Sequence, residues 1–257
     1  MFVQRSRFSF LLASSLLLAA SYSQAQAADK PAVLKALEDQ GLTVLQEFKA
    51  GDGLRAFAAA AGDRPVAVYI TKEGNAIVGT RFSAKGEPID EATLGNLVAK
   101  PISDQEWALL QATRYVVDGK ANAPRVVYTF SDANCPYCHR FWEAARPWVD
   151  SGKVQLRHVM VGVIRESSPG KAAAILGASD PSAALLENEK NYDQGGIAPA
   201  KEVPADIRKV LEDNHKLMLA MGFRGTPGII VRGDDGLIKK YKGMPQPQAL
   251  EELFGPR

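Results

Sequence analysis

Cys135 and Cys138 are the only two cysteines in this 257-residue chain. A bridge between residues so close closes a very small loop, removes little entropy from the unfolded chain and contributes little stability. The spacing suits reversible chemistry instead: one sulfur attacks a disulfide, and the other displaces the product from the mixed intermediate. The flanks supply the geometry. Val126–Phe130 is a short apolar run rich in β-branched and aromatic residues, as a buried strand requires. Pro136 suits the first position of a helix, and Phe141, Trp142, Ala145 and Trp148 then recur along its apolar side, with a kink expected at Pro147. A sulfur at such a strand-to-helix junction lies near unpaired N–H groups and the positive end of the helix dipole, which favour a thiolate. Cys135 therefore reads as the low-pKa nucleophile. Cys138, one turn inward, reads as the more buried, higher-pKa resolving thiol, and the pair as a redox-active Cys135–Cys138 disulfide when oxidised.

A second motif supports this chemistry. Gly225-Thr226-Pro227-Gly228 precedes an apolar strand, where thioredoxin-type folds set a cis proline beside the active cysteines. A cis bond there would expose the backbone of Thr226 to an extended substrate chain. The expected substrate-binding residues are thus Thr226 and Pro227, with Pro136 and Tyr137 between the sulfurs. Cys135–His139 also matches the C-x-x-C-H signature of covalent haem, for which Met160, Met218, Met221 or Met244 could supply a distal ligand. The strand before the motif, the proline inside it and the lack of a small helical cytochrome pattern argue against haem. Structural zinc needs four ligands and only two thiols exist, so no metal and no other cofactor is expected. His139 reads as a solvent-facing helix residue with an option to tune Cys135; His158 and His215 stand apart and read as structural.

These residues need a scaffold, and the rest of the chain divides accordingly. Arg5 and Arg7, the apolar run Phe8–Ala20 and the ending Ala25-Gln26-Ala27 form a secretory signal peptide, residues 1–27. An uncleaved anchor is the competing reading, disfavoured by the short apolar run. Removing that segment takes two arginines and no acids from 31 basic and 29 acidic residues, so the charges balance and nothing points to nucleic acid. Residues 28–90 read as a small α+β unit: a helix over 31–40, then strands over 42–48, 54–60, 65–71 and 76–80. A unit this small has a marginal core and gains burial by pairing with another copy. Residues 91–122 read as a linker helix, interrupted at Pro101, restarted by a Ser103/Glu106 capping box and ended by Asp118-Gly119-Lys120. Whether that helix packs on a domain or stands free as a stalk is open at this level. Residues 123–257 order as β-α-β, a helical insertion at about 167–222, then β-β-α. The second strand is expected over 154–164, and the closing hairpin over 228–232 and 237–241. This is a thioredoxin-like core.

With these residues in view, the chain resembles the DsbC/DsbG family of periplasmic thiol:disulfide interchange proteins, and the DsbG branch most closely. Phe130-Ser131-Asp132, the Cys-Pro-Tyr-Cys run, Phe141-Trp142, Ala144–Leu156, Val161–Ile164 and Ala172–Leu176 carry the resemblance. It implies an α+β/α/β architecture in which a linker helix joins the thioredoxin-like catalytic domain to a small cystatin-like dimerisation domain. It further implies a V-shaped homodimer in the periplasm and exported protein substrates with exposed cysteines or wrong disulfides. The working state would be a dithiol kept reduced by a DsbD-type membrane reductase, acting as isomerase and as reductase of sulfenylated cysteines, with possible chaperone activity. The alternatives are a DsbA-like dithiol oxidase and a thiol-independent holdase chaperone. One departure concerns the proton acceptor: thioredoxins and DsbA place a buried carboxylate six residues before the first cysteine, where this chain has Thr129. Asp132 is the nearest acid in sequence.

Overall fold

The computed structural model describes residues 30–51 and 53–256; the expected signal peptide lies outside the described residues. Among the described residues no helix is long and apolar enough to cross a membrane.

The first layer is an antiparallel sheet in the order β1 (Leu42–Lys49), β2 (Arg55–Ala61), β3 (Arg64–Ile70), β4 (Ala76–Gly79). Period-2 alternation lets β2 and β3 bury both faces. Phe57, Ala59, Val66, Val68 and Ile70 pack under α1 (Ala32–Asp39) through Leu34. On the other face Ala58 and Ala60 lie under Val98, and Ala56 and Ala67 pack with Tyr69. The alanine run of β2 thus leaves room for a helical segment to lie close to the sheet.

That segment corrects the expected linker. Helical backbone runs from α2 (Glu91–Leu94) through a π-helical turn (Gly95–Ala99) into α3 (Lys100–Ala112), with no break at Pro101. A proline lacks the N–H and crowds the carbonyl four residues back; the wider turn just before it relieves that conflict. Ser103 and Glu106 are therefore interior residues and form no capping box; the Ser103 hydroxyl instead accepts from Ile238 N–H, 3.2 Å. The helix ends at Ala112, six residues before the expected stop. Its C-terminal half is a packed element. Leu110 is buried with Tyr128 and Phe130, and Trp107 meets the Tyr128 ring edge-on at 5.1 Å.

Val116–Asp118 is not a helix end but β5, the first strand of a second sheet, which therefore starts ahead of the expected boundary at 123. Its order is β5, β7 (Val154–Met160), β6 (Arg125–Ser131), β8 (Gly228–Arg232), β9 (Ile238–Lys242). β6 and β7 are parallel and the other pairs antiparallel. β7 stops at Met160, short of the expected 164, because the chain beyond it is drawn into the active-site loop. α4 (Pro136–Asp150) runs through Pro147 and packs on one face with α8 (Pro247–Phe254), burying Phe141, Ala145, Trp148, Leu253 and Phe254. α3 and the end of α7 (Ala205–Ala220) cover the opposite face. α5 (Ser168–Leu176), α6 (Pro181–Lys190) and a 3-10 turn (Tyr192–Gln194) complete the insertion, which packs on Val116, Ala133 and Met160.

Candidate active site

β6 delivers the chain to the site and α4 receives it. Cys135 is the N-cap of α4: its sulfur accepts from Cys138 N–H at 3.2 Å, so the thiol takes the place an oxygen usually fills at a helix start. Across from it, Thr226–Pro227 is a cis peptide, and the Thr226 carbonyl accepts from the Cys135 thiol at 3.4 Å. Gly228 follows because a Cβ there would fall 2.7 Å from the Phe223 ring. The motifs at 135–138 and 226–227, far apart in sequence, thus meet at one point. Pro136 and Tyr137 face solvent beside them.

Surface exposure does not separate the two residues, at 2 % for Cys135 and 5 % for Cys138, but the Cys138 sulfur lies deeper among protein atoms, as expected of the resolving thiol. The cis-proline loop shelters Cys135 from one side. Their electrostatics do separate them. The hydrogen bond from Cys138 lowers the Cys135 pKa, against the opposing effect of burial; Thr226 and the N–H groups of Cys138 and Tyr137 assist. Burial pushes the Cys138 thiol well up, and the neighbouring Cys135 sulfur adds to the rise. The Thr226 hydroxyl, buried without a hydrogen-bond partner, lies where it favours charge on either sulfur.

The loop before Cys135 is fixed from several directions, and its organiser is Asp132. One carboxylate oxygen accepts from Asn134 N–H (2.9 Å) and the Ser168 hydroxyl (2.7 Å); the other accepts from the N–H groups of Val163 (2.7 Å) and Ile164 (3.0 Å). All of its acceptor capacity is committed, so Asp132 holds the loop and is not the proton acceptor for Cys138. The insertion clamps the same loop: Asn188 donates to Ala133 O (3.3 Å), Tyr192 to Asn134 O (3.0 Å), and the Asn134 amide to the Ser168 hydroxyl (2.9 Å). Sequence reasoning missed Ser168, Asn188 and Tyr192 because they belong to segments remote from the motif; Asp132, the one acid between β6 and Cys135, was the available signal.

His139 does not face solvent. Its side chain is only 14 % exposed, Nδ1 lies 2.8 Å from a Glu189 carboxylate oxygen, and the ring stacks on Tyr192 with centroids 4.3 Å apart. The partners are supplied by α6 and the turn after it, which a helical wheel of α4 cannot reveal. The residues considered for haem are committed elsewhere: His139 to Glu189, Met160, Met218 and Met221 to the buried clusters flanking the sheet, and partly buried Met244 against the cluster of α4 and α8.

Comparison with known proteins fits this geometry. Residues 116–255 match the family model of a thioredoxin-like domain. The chain is 43% identical over 232 residues to the thiol:disulfide interchange protein DsbG of Pseudomonas aeruginosa, covering 90% of this chain and 91% of that protein. It is 37% identical over 250 residues to DsbG of Escherichia coli, covering 95% and 99%. Among solved structures, the catalytic domain of Proteus mirabilis ScsC superposes with a TM-score of 0.50 at 22% identity, covering 60% of this chain and 96% of that one, a likeness of fold alone. The thioredoxin-like domain and the near full-length identity together place this chain in the DsbG family of thiol:disulfide interchange proteins.

Proposed function

We propose that this protein is a periplasmic thiol-disulfide oxidoreductase whose reduced dithiol isomerises wrong disulfides and reduces sulfenylated cysteines in exported proteins. The observation that carries the reading is the opposed poise of the two sulfurs, Cys135 favoured as thiolate and Cys138 held as thiol, beside a cis Thr226–Pro227.

The Cys135 thiolate is the nucleophile. It attacks one sulfur of a substrate disulfide; that S–S bond breaks, a mixed disulfide forms and the other substrate sulfur leaves as a thiolate. In isomerisation another substrate thiolate displaces Cys135, with no net electron transfer. In reduction Cys138 displaces the substrate, two electrons pass to it, and the protein is left with the Cys135–Cys138 disulfide. A sulfenic acid condenses with Cys135 to the same mixed disulfide with loss of water. Pro136, Tyr137, Thr226 and Pro227 form the substrate contact, extended by exposed Val163 and Ile164 beside the loop. Reduction leaves the protein oxidised, so a reductant must restore the dithiol, and a membrane reductase of the DsbD type is the source this reading assigns.

Residues 28–90 form the dimerisation domain in this reading, and the helical run 91–112 joins it to the thioredoxin-like part. Support comes from the apolar edge of the first sheet: Ile77 and Val78 on β4, with Phe82 and Ile89 beyond it, are exposed. A strand edge without charge is a template for a second strand.

The test is to quench intact cells with acid and tag free thiols by mass. Mostly free Cys135 and Cys138 support the isomerase and reductase reading; a mostly oxidised pair overturns it in favour of a DsbA-like oxidase. Exposed Tyr137, Val163 and Ile164 favour a second reading, a thiol-independent holdase. Under it, Cys135→Ala still suppresses client aggregation while losing exchange.

A further inference from the structure

When Cys138 displaces a substrate it must lose its proton, and Cys135, then in the mixed disulfide, carries no charge to receive it. Burial still disfavours the Cys138 thiolate. The nearby acids are spoken for: Asp132 is saturated by four donors, and Glu189 is bound to His139.

A polar chain lies beneath the first turns of α4. Thr129 Oγ1 is 3.3 Å from Ser131 Oγ, which is 3.2 Å from His158 Nδ1. His158 Nε2, buried and without a hydrogen-bond partner, lies 3.6 Å from an Asp118 carboxylate oxygen. Arg146 of α4 grips that carboxylate with both terminal nitrogens. The members come from three adjacent strands: Thr129 pairs with His158 in the β6–β7 register, and Val116 of β5 pairs with His158 from the other side. All but Asp118 are nearly sealed, with Thr129 at 0 %, His158 at 2 % and Ser131 at 5 % exposure.

Their face of the sheet is fixed by period 2. Val127 and Leu156, two residues back on the same strands, pack with Phe141 and Ala145 of α4. Thr129, Ser131 and His158 therefore stand on the α4 side. Cys138 precedes Phe141 by three residues and Ala145 by seven, at the head of the same helical stripe.

We propose that Thr129, Ser131 and His158 form a buried proton relay for Cys138, with Asp118 orienting the imidazole and balancing its charge. With Nε2–H directed at Asp118, Nδ1 is free to accept. The Cys138 proton passes to Thr129 Oγ1, the Thr129 hydroxyl proton to Ser131 Oγ, and the Ser131 proton to His158 Nδ1. The Cys138 thiolate attacks the Cys135 sulfur, the bond to the substrate sulfur breaks, and its electron pair leaves on the substrate as a thiolate. When the pair is reduced again, the proton returns to Cys138 by the same route. His158 acts through the hydroxyls and is a positioning residue.

The ionisable groups around His158 fit this role. From β5 there is Asp118: burial would raise its pKa, but the facing His158 ring and the Arg146 guanidinium hold it at about 2. From α4 there are Arg146 and Cys138, and β6 offers only hydroxyls on this face. Glu189 of α6 is engaged by His139, and Arg157 of β7 is turned to Tyr128 on the opposite side.

The test separates the two sulfur steps. Reduced full-length protein mixed with 5,5′-dithiobis(2-nitrobenzoate) releases one chromophore as Cys135 attacks and a second as Cys138 resolves. Thr129→Val keeps the shape and removes the hydroxyl. It is expected to slow the second release about tenfold or more at neutral pH while leaving the first within about twofold, and His158→Gln should do the same. The deficit should close as rising pH ionises Cys138 directly, and Thr129→Ser should restore the rate. An unchanged second release in Thr129→Val overturns the relay. So does an equal slowing of both releases at every pH, which marks a packing defect. If His158→Gln does not fold, the two Thr129 variants decide the matter.

Discussion

The four-stranded sheet is covered on both faces at its central strands β2 and β3, as the five-stranded sheet is at its core, yet the two differ at their edges. In the second sheet, β5 is overlaid by α6, whose Ser182 donates to Val117 O, and β9 carries Lys239, Lys240 and Lys242. Those charges keep a foreign strand away. In the first sheet, β4 reads Ala-Ile-Val-Gly and exposes Ile77 by 58 %. The chemistry sits in the sheet whose edges are closed and whose leading loop is fastened by Asp132, Asn188 and Tyr192. The open edge sits at the far end of the chain, where the proposed partner copy would add its own. Thiol exchange needs sulfurs fixed to fractions of an ångström. Self-association needs apolar area left uncovered.

That comparison breaks or sharpens under mutation. The largest effect is expected from Cys135→Ser, which should drop reduction of a disulfide substrate to background while leaving sedimentation unchanged; residual turnover would contradict the assignment. Asp132→Ala comes next. It strands the buried Asn134 N–H and releases the 163–164 segment, for a loss of about 3 kcal/mol in denaturant unfolding of the thioredoxin-like part. A loss under 1 kcal/mol, on the order of one ordinary hydrogen bond, would mean the loop is held by the insertion alone. The smallest effect on chemistry is expected from Val78→Lys. It should weaken self-association about tenfold in sedimentation and leave the rate of thiol exchange unchanged. A dimer that survives it would move the interface away from β4.

Local chemistry was legible in the sequence and long-range pairing was not. A strand running into Cys-Pro-Tyr-Cys and a helix is written in contiguous residues, as is the Thr226–Pro227 turn. Asp118 reads as a helix end because β5 is three residues long and acquires its identity only by pairing with β7. His158 looked solitary for the same reason, since its partners come from β5 and β6. On the helical pattern of α4 alone His139 points toward solvent, because Glu189 and Tyr192, which enclose it, arrive some fifty residues later. The false capping box at Ser103 arose from treating Pro101 as a break, when a π turn ahead of it lets the helix continue.

The most direct test of the account is alkylation of the reduced protein across pH, with the two cysteines resolved by peptide mass. The Cys135 pKa is lowered from 9.0 to about 6, while that of Cys138 is raised. A depressed folded-state pKa stabilises the reduced fold fully above the unfolded value and loses that contribution as pH falls through the folded one. Cys135 should therefore alkylate with a midpoint near 6, Cys138 should stay unmodified through neutral pH, and the reduced form should lose stability relative to the disulfide form as pH falls through that midpoint. Two sulfurs titrating together near the ordinary thiol value would contradict the opposed poise on which the function rests.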